Sequence, residues 1–291
     1  MVILNNSKLN VQIDTLGAEL KGIYSLDQKI EYMWQPGYDI WDHSSLLLFP
    51  NASRICRDRA IIGGKVYPAT MHGFAYTSEF SVVSQCENSV TLELTANETT
   101  KKYFPYNFVL DIDFAIEENI LTQRLRVKNK DSIPMYFSIG AHPGFYLPLE
   151  IGESGDDYIL HFNSSQDIDQ MRLQRGTNLY TEENVPYLRN ETDIALSENF
   201  FDDGPKVLSG VKADSITLLS KKSGRFVKLG IKDFPYLCLW GNPYKNAMIC
   251  IEPWCGAPDS VNSNHVWETK LGIEKVEPGE EFSRTITFEV G

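Results

Sequence analysis

Phe108-Val109-Leu110-Asp111-Ile112-Asp113-Phe114-Ala115 is followed, after Glu117-Glu118-Asn119, by a run in which Leu121, Gln123, Leu125 and Val127 alternate with polar residues. In the first run, large apolar side chains at 108, 110, 112 and 114 alternate with 109, 111, 113 and 115, a period of two that places them on one face of a strand. The second run repeats that period after a gap short enough for a tight turn. Two long antiparallel strands with one face in a core are therefore predicted. Nothing in the chain competes with them, because no stretch longer than about a dozen residues holds a helical period.

Working outward, Phe80 to Gln85 and Ser89 to Thr95 flank the turn pair Glu87-Asn88. Pro134 to Pro148 begins as an apolar, aromatic strand, and Ala141-His142-Pro143-Gly144 is predicted to break it, since proline lacks a donor and constrains its predecessor. Strands are also predicted at Ser215–Leu219, Phe226–Ile231, Leu237–Trp240 and Ala247–Ile251, and in the tail, where Phe282, Arg284, Ile286 and Phe288 alternate with Ser283, Thr285, Thr287 and Glu289. Towards the N-terminus come Asn10–Asp14, Ala18–Tyr24, Lys29–Met33 and a hairpin at Ala60–Tyr67, turned by Gly63-Gly64. Within Tyr38–Leu48, Asp39 is placed to cap a short helix whose buried end is Leu46-Leu47-Leu48-Phe49, stopped by Pro50. Asp156 to Glu198 is polar and irregular, and reads as an excursion from the sheet containing strand-like pieces at Tyr158–Phe162 and Gln170–Leu173. With no internal boundary and no repeat of about 20–50 residues, residues 1–291 read as one all-β domain, a large antiparallel β-sandwich.

Composition narrows the function. A chain of 291 residues that is 42% hydrophobic can bury a sizeable core. A net charge of -12 argues against nucleic acid and against anionic membrane surfaces as partners. No apolar run approaches the roughly 18 residues of a membrane span, and the N-terminus lacks the pattern of a signal peptide. The five cysteines are scattered, odd in number and without a CxxC pair, so reduced thiols and a cytoplasmic location are expected.

Four spots can carry chemistry. Arg54 follows Asn51-Ala52-Ser53 in a polar loop, where its guanidinium could fork to ligand oxygens or simply be solvated. His72 precedes Gly73-Phe74 in an irregular loop and has an ordinary structural reading as well. His142 stands before Pro143. Met248-Ile249-Cys250-Ile251-Glu252-Pro253-Trp254 repeats that design, an apolar strand predicted to end in an ionisable residue before proline. A carboxylate there is poorly solvated, which raises its pKa towards the range of a general base. Two histidines and a glutamate could hold zinc, but no HxxxH or HxH spacing supports this. A serine or cysteine nucleophile lacks its GxSxG elbow. A glycosidase needs a second carboxylate, which Asp259 or Asp203 could supply, but nothing in the sequence pairs either with Glu252. The absence of GxGxxG and Walker A loops argues against a nucleotide cofactor. A carboxylate base and an imidazole acid working on a neutral polyol fit without additions.

Six pieces then occur in order along nearly the whole chain: Leu48-Phe49-Pro50 with Arg54, the Gly-Gly hairpin, His72-Gly73-Phe74-Ala75, Gly140-Ala141-His142-Pro143-Gly144-Phe145, Phe234-Pro235-Tyr236-Leu237-Cys238-Leu239-Trp240, and Cys250-Ile251-Glu252-Pro253-Trp254. In these the chain resembles the aldose 1-epimerases (galactose mutarotases), most closely their LacX-type bacterial branch. The resemblance implies the galactose mutarotase-like supersandwich, with a sugar held in a groove on one sheet. It implies Glu252 as general base, His142 as general acid, His72 as a further active-site histidine and Arg54 as a sugar contact. Trp240, Trp254 or Phe74 would stack on the sugar, and the sugar-binding aspartate falls near Asp202 and Asp203. It implies no metal and no cofactor, with a small-molecule sugar as the partner of a monomer or homodimer. Two departures stand out. Ser53 occupies the place before the arginine where the family usually carries glycine or asparagine, and Tyr76 stands where the branch often has arginine. The alternatives are a hexose-6-phosphate 1-epimerase and a non-catalytic carbohydrate-binding protein on the same fold.

Overall fold

The computed structural model describes residues 1–37, 40–241 and 247–291. Four strands open the chain, β1 (Val2–Asn5), β2 (Leu9–Ile13), β3 (Leu20–Ser25) and β4 (Ile30–Glu31), and form one antiparallel sheet in that order. After β5 (Ser45–Leu48) comes the expected hairpin of β6 (Arg59–Ile62) and β7 (Lys65–Pro68). Next is a meander of β8 (Ser81–Gln85), β9 (Ser89–Thr95), β10 (Phe108–Glu117) and β11 (Ile120–Asn129). There the period-two reading holds: Phe108, Leu110, Ile112, Phe114 and Ile116 are buried in the main core. Each such side chain contributes about 1.5–3 kcal/mol by leaving water. The opposite face of the pair carries charge, with the Arg126 guanidinium donating to both Asp113 carboxylate oxygens at 2.7 and 2.9 Å.

The chain continues through β12 (Met135–Phe137), β13 (Ile139–Tyr146), β14 (Tyr158–Leu173), β15 (Tyr180–Ala195), β16 (Lys206–Ser209), β17 (Ser215–Ser220), β18 (Phe226–Gly230), β19 (Tyr236–Trp240), β20 (Met248–Cys255), β21 (Glu274–Val276) and β22 (Glu281–Val290). One large sheet runs β5-β13-β20-β19-β16-β14-β17-β18-β22-β11-β10-β9-β8, with β15 added on β14. The architecture is the all-β, antiparallel supersandwich. Helix among the described residues is confined to five three-residue 3₁₀ turns, and no helix is long and apolar enough to cross a membrane.

Three local expectations are corrected. The helix predicted before Pro50 is instead β5, while its proposed cap, Asp39, lies outside the described residues. Leu46 and Leu48 pack into a satellite cluster and Leu47 into the main core. Burial on both faces produced an apolar run with no alternation to read. Asp156–Glu198 is no excursion. It folds mostly as the sixteen-residue strands β14 and β15, and β14 lies inside the large sheet. Register shifts between His161 and Gln166, around Gln166/Asp167 and Ile168/Asp169, and between Met171 and Leu173 scramble its period. Finally, neither His142 nor Glu252 ends a strand. β13 runs through Pro143 to Tyr146, and β20 runs through Pro253 to Cys255.

Candidate active site

Those two prolines shape the centre of the sheet. β13 and β20 pair at Gly140↔Trp254 and again at Gly144↔Cys250, and the pairing lapses between. Pro143 and Pro253 fall in that gap and have no N–H to donate. Each strand is held through its other neighbour, Pro143 opposite Ser45 and Pro253 opposite Leu237. Carrying the register across the gap sets His142 opposite Glu252, and their side chains meet, with Nε2 of His142 3.3 Å from Oε1 of Glu252.

The same row extends over six strands. Leu46 lies opposite His142, Glu252 opposite Cys238, Cys238 opposite Val207 and Val207 opposite Met171. Leu46, His142, Glu252, Cys238 and Val207 line a cavity of about 320 Å³, walled by Trp41, Trp240, Trp254, His72, Ser53, Met71, Leu173, Asn178 and Pro205. Side chains two residues along a strand share a face, so Gly140 and Gly144 border the same surface. A Cβ on Gly140 would lie 2.7 Å from the Pro253 carbonyl oxygen and 2.8 Å from Cδ1 of Trp254. The glycine makes room for the Trp254 wall.

His72 is held by a reciprocal pair of contacts. Its backbone N–H donates to the Ser53 carbonyl at 3.0 Å, and the Ser53 N–H donates to its Nδ1 at 3.2 Å. A ring that accepts at Nδ1 carries its proton on Nε2 and offers that N–H as a donor. Burial, with the Arg54 charge adding to it, holds His72 in this neutral form and pushes its pKa down to about 4. The loop is tightly made. His72 and Gly73 both have positive φ, and a Cβ on Gly73 would lie 2.1 Å from the Phe49 carbonyl oxygen. Ser53 also sits at φ +62°, a region glycine and asparagine enter more readily than serine.

The two facing groups are shifted in opposite directions. Burial drives His142 well below the usual histidine range, with His72 and His43 adding to it. Burial also drives the Glu252 carboxyl well above its usual range. The Cys238 thiol and the Trp254 indole temper that rise without closing a hydrogen bond of ordinary geometry to either oxygen. Both shifts favour the uncharged form of the group concerned, the carboxylic acid of Glu252 and the neutral imidazole of His142. Trp41 stacks on His142 with centroids 4.8 Å apart, while Trp240 and His72 meet it edge-on at 5.8 and 5.5 Å.

The residues singled out from sequence are thus distributed unevenly. His142, Glu252, His72, Trp240 and Trp254 come together around the cavity. Arg54 stands beside it, its Nη1 3.3 Å from the Asp58 carboxylate and its Nη2 3.9 Å from the Met71 sulfur. Phe74 turns into the core, edge-on to Phe49 at 6.1 Å, so a stacking role is corrected. Asp203 lines an adjoining cleft. Asp259 accepts the Cys56 N–H at 2.9 Å, and neither it nor Asp203 lines the cavity that holds Glu252. Tyr76 packs edge-on to His43 at 6.0 Å. Trp41 and Val207 escaped the sequence reading and Cys238 was quoted there without a role: sheet order brings in Cys238 and Val207, and the loop before β5 brings in Trp41.

A metal could draw on a different trio from the one the sequence suggested. Ligand atoms of His142, Cys250 and Glu252 lie within 4.8 Å of one another. Burial pushes the Cys250 thiol well above its ordinary pKa, so it is not a thiolate ready to bind.

A cleft floored by a facing histidine and glutamate and walled by indoles thus sits on the large sheet of the supersandwich. The family described as aldose 1-epimerase matches residues 1–289, and the chain belongs to it. Protein LacX (plasmid) of Lactococcus lactis subsp. lactis is 31% identical over 282 residues, covering 94% of each chain. The X-ray structure of a galactose mutarotase related enzyme from Lactobacillus acidophilus superposes with a TM-score of 0.94 at 28% identity, covering 100% of this chain and 97% of that one. A galactose mutarotase-like protein from Lactobacillus casei gives 0.92 at 28% identity, covering 100% of both. Family and neighbours together support an epimerase, hence an isomerase with a sugar substrate.

Proposed function

We propose that this protein interconverts the α and β anomers of a free aldose by acid/base ring opening and closing, without a cofactor. The observation that carries the reading is the facing pair His142 and Glu252, 3.3 Å apart on the cavity floor. Glu252 takes the proton of the anomeric hydroxyl as the C1–O1 bond becomes a carbonyl. The C1–O5 bond breaks, and its electron pair takes a proton from His142 at O5. Rotation about C1–C2 presents the other carbonyl face, and closure reverses both transfers. This direction needs an ionised carboxylate and a protonated imidazole. That state holds the same number of protons as the uncharged pair that burial favours, and the two groups titrate as a unit. Each positioned acid or base contributes about 10²–10⁴-fold.

His72, donating from Nε2, stabilises charge developing on a sugar oxygen. Trp240 and Trp254 offer flat apolar walls to the ring's C–H faces. A phosphorylated substrate fits less well, because Tyr76 takes the place where a basic side chain would stand and the Arg54 guanidinium is turned to Asp58.

The test is polarimetry. Freshly dissolved α-anomers of galactose, glucose and other aldoses should reach equilibrium faster with catalytic amounts of the protein than in buffer. No acceleration with any of them would refute turnover. If the same sugars then raised the unfolding temperature, the protein would be a carbohydrate binder on this fold.

A further inference from the structure

β5 is an outermost strand of the large sheet, with β13 on one side and, among the described residues, no strand on the other. At its start a side chain from the four-stranded sheet stands in for the missing neighbour. Glu19, just before β3, accepts the Ser44 and Ser45 N–H groups on Oε1 at 2.6 and 3.2 Å. Its Oε2 faces Nδ1 of His43 at 3.4 Å, and the Lys21 ammonium lies 3.2 Å from Oε1. The residue is buried. Burial alone would raise its pKa, but the His43, Ser44, Lys21 and Ser45 contacts outweigh it and hold the carboxyl below its ordinary value. Glu19 is therefore an ionised acceptor, which binds backbone N–H groups more strongly than a neutral one. It lines no part of the cavity.

The stretch that Glu19 grips carries Trp41. The Trp41 carbonyl accepts the Trp34 indole N–H at 3.0 Å, and the Ser44 carbonyl accepts the Gly144 N–H at 2.9 Å. A Cβ on Gly144 would lie 2.9 Å from Cζ3 of Trp41, so this glycine leaves the indole room over β13. The indole comes to rest on the His142 ring, with centroids 4.8 Å apart and planes 30° from parallel. A tryptophan face attracts a cation placed over it, and His142 carries a positive charge whenever it serves as the acid.

We infer that Glu19 is a positioning residue for the reaction: by holding residues 43–45 at the edge of the large sheet, it keeps the Trp41 indole on the His142 ring and so favours the imidazolium that protonates the sugar's ring oxygen. This rests on the function proposed above and adds to it a residue outside the cavity. Because Glu19 makes no wall of the cavity, its loss weakens the acid without removing a sugar contact. A cation over an indole in a site shielded from water is worth about tenfold in rate.

Mutarotation of α-glucose and α-galactose and proton NMR of the histidine rings are compared for the natural protein, Glu19→Gln, Trp41→Leu and Trp41→Phe, with His142→Gln identifying the His142 signals. Glu19→Gln keeps the size of the side chain and removes its charge. Its kcat should fall about tenfold with KM unchanged, and its His142 ring protons should move downfield from the positions that the stacked indole shields. Trp41→Leu should show the same loss in kcat and the same downfield movement. Trp41→Phe keeps an aromatic face and should restore most of kcat. A Glu19→Gln protein that loses thermal stability while its His142 signals stay in place has lost a structural contact only, and that result overturns the inference. So does an undiminished kcat in Glu19→Gln, or in Trp41→Leu if Glu19→Gln does not fold. If the natural protein turns over neither sugar, the epimerase reading fails by that result alone, and the NMR comparison still decides the positioning: moved signals support it and unmoved ones refute it.

Discussion

Replacing Glu252 by glutamine should move activity and stability in opposite directions. Glutamine keeps the shape of a side chain that is 1% exposed but cannot take the anomeric proton. Loss of a positioned base costs about 10²–10⁴-fold, or about 3–6 kcal/mol of transition-state stabilisation at about 1.4 kcal/mol per decade. Stability follows the raised pKa. As pH rises above 4.5, the ordinary value of a glutamate carboxyl, the unfolded chain loses the proton while the buried group keeps it. The native state then binds more protons than the unfolded one, so the natural protein loses about 1.4 kcal/mol for each pH unit until the native carboxyl also ionises. Glutamine is neutral throughout and escapes this loss. The stability advantage of the variant should therefore grow with pH across that window and then level off. Urea unfolding at intervals from about pH 4 to about pH 9 reads the second effect, and polarimetry of a fresh α-anomer reads the first. A variant with undiminished activity would remove Glu252 from the base role. A stability difference that is flat with pH would show that burial does not govern this carboxyl.

His72 carries the opposite sign. Its native pKa is lowered to about 4 from 6.5, so below 6.5 the unfolded chain takes a proton that the native ring refuses. The contribution is fully present above 6.5 and is lost as pH falls towards 4, at about 1.4 kcal/mol per pH unit. Urea unfolding at pH values inside and above that window should show a smaller acid loss for His72→Gln than for the natural protein. Gly140→Ala drives a methyl against the Pro253 carbonyl and the Trp254 ring at 2.7 and 2.8 Å. It should cost about 1–3 kcal/mol by overpacking and lower mutarotation together with thermal stability. A variant as stable and active as the natural protein would mean that the two strands are free to separate there.

What the sequence made legible follows from where burial was one-sided. β10 and β11 bury one face each, so their period survives in the residue order. β5 is buried on both faces, and an apolar run without alternation does not distinguish strand from helix. β14 changes register several times, and β15 pairs only with it and is largely exposed, so neither keeps a steady pattern. Phe74 looked like part of the site because it follows His72-Gly73. The left-handed backbone at both of those residues directs the chain so that the ring enters the core instead. Cys238 and Val207 come from separate strands joined by a sheet order that does not follow the chain, and Trp41 comes from the loop before β5.

His142-Pro143 and Glu252-Pro253 are the instructive case. Proline in an apolar strand normally argues for its end, and both prolines read that way in the residue order. A lone proline inside a central sheet would leave an acceptor on the neighbouring strand without its donor. Two prolines facing one gap confine that deficit to a single place, where β13 and β20 stop pairing for three residues while each stays paired on its other side. His142 and Glu252 lie at the middle of that gap. The signal that misplaced both strand ends thus marks the location of the acid/base pair, because the interrupted ladder and the dyad belong to one local arrangement of backbone.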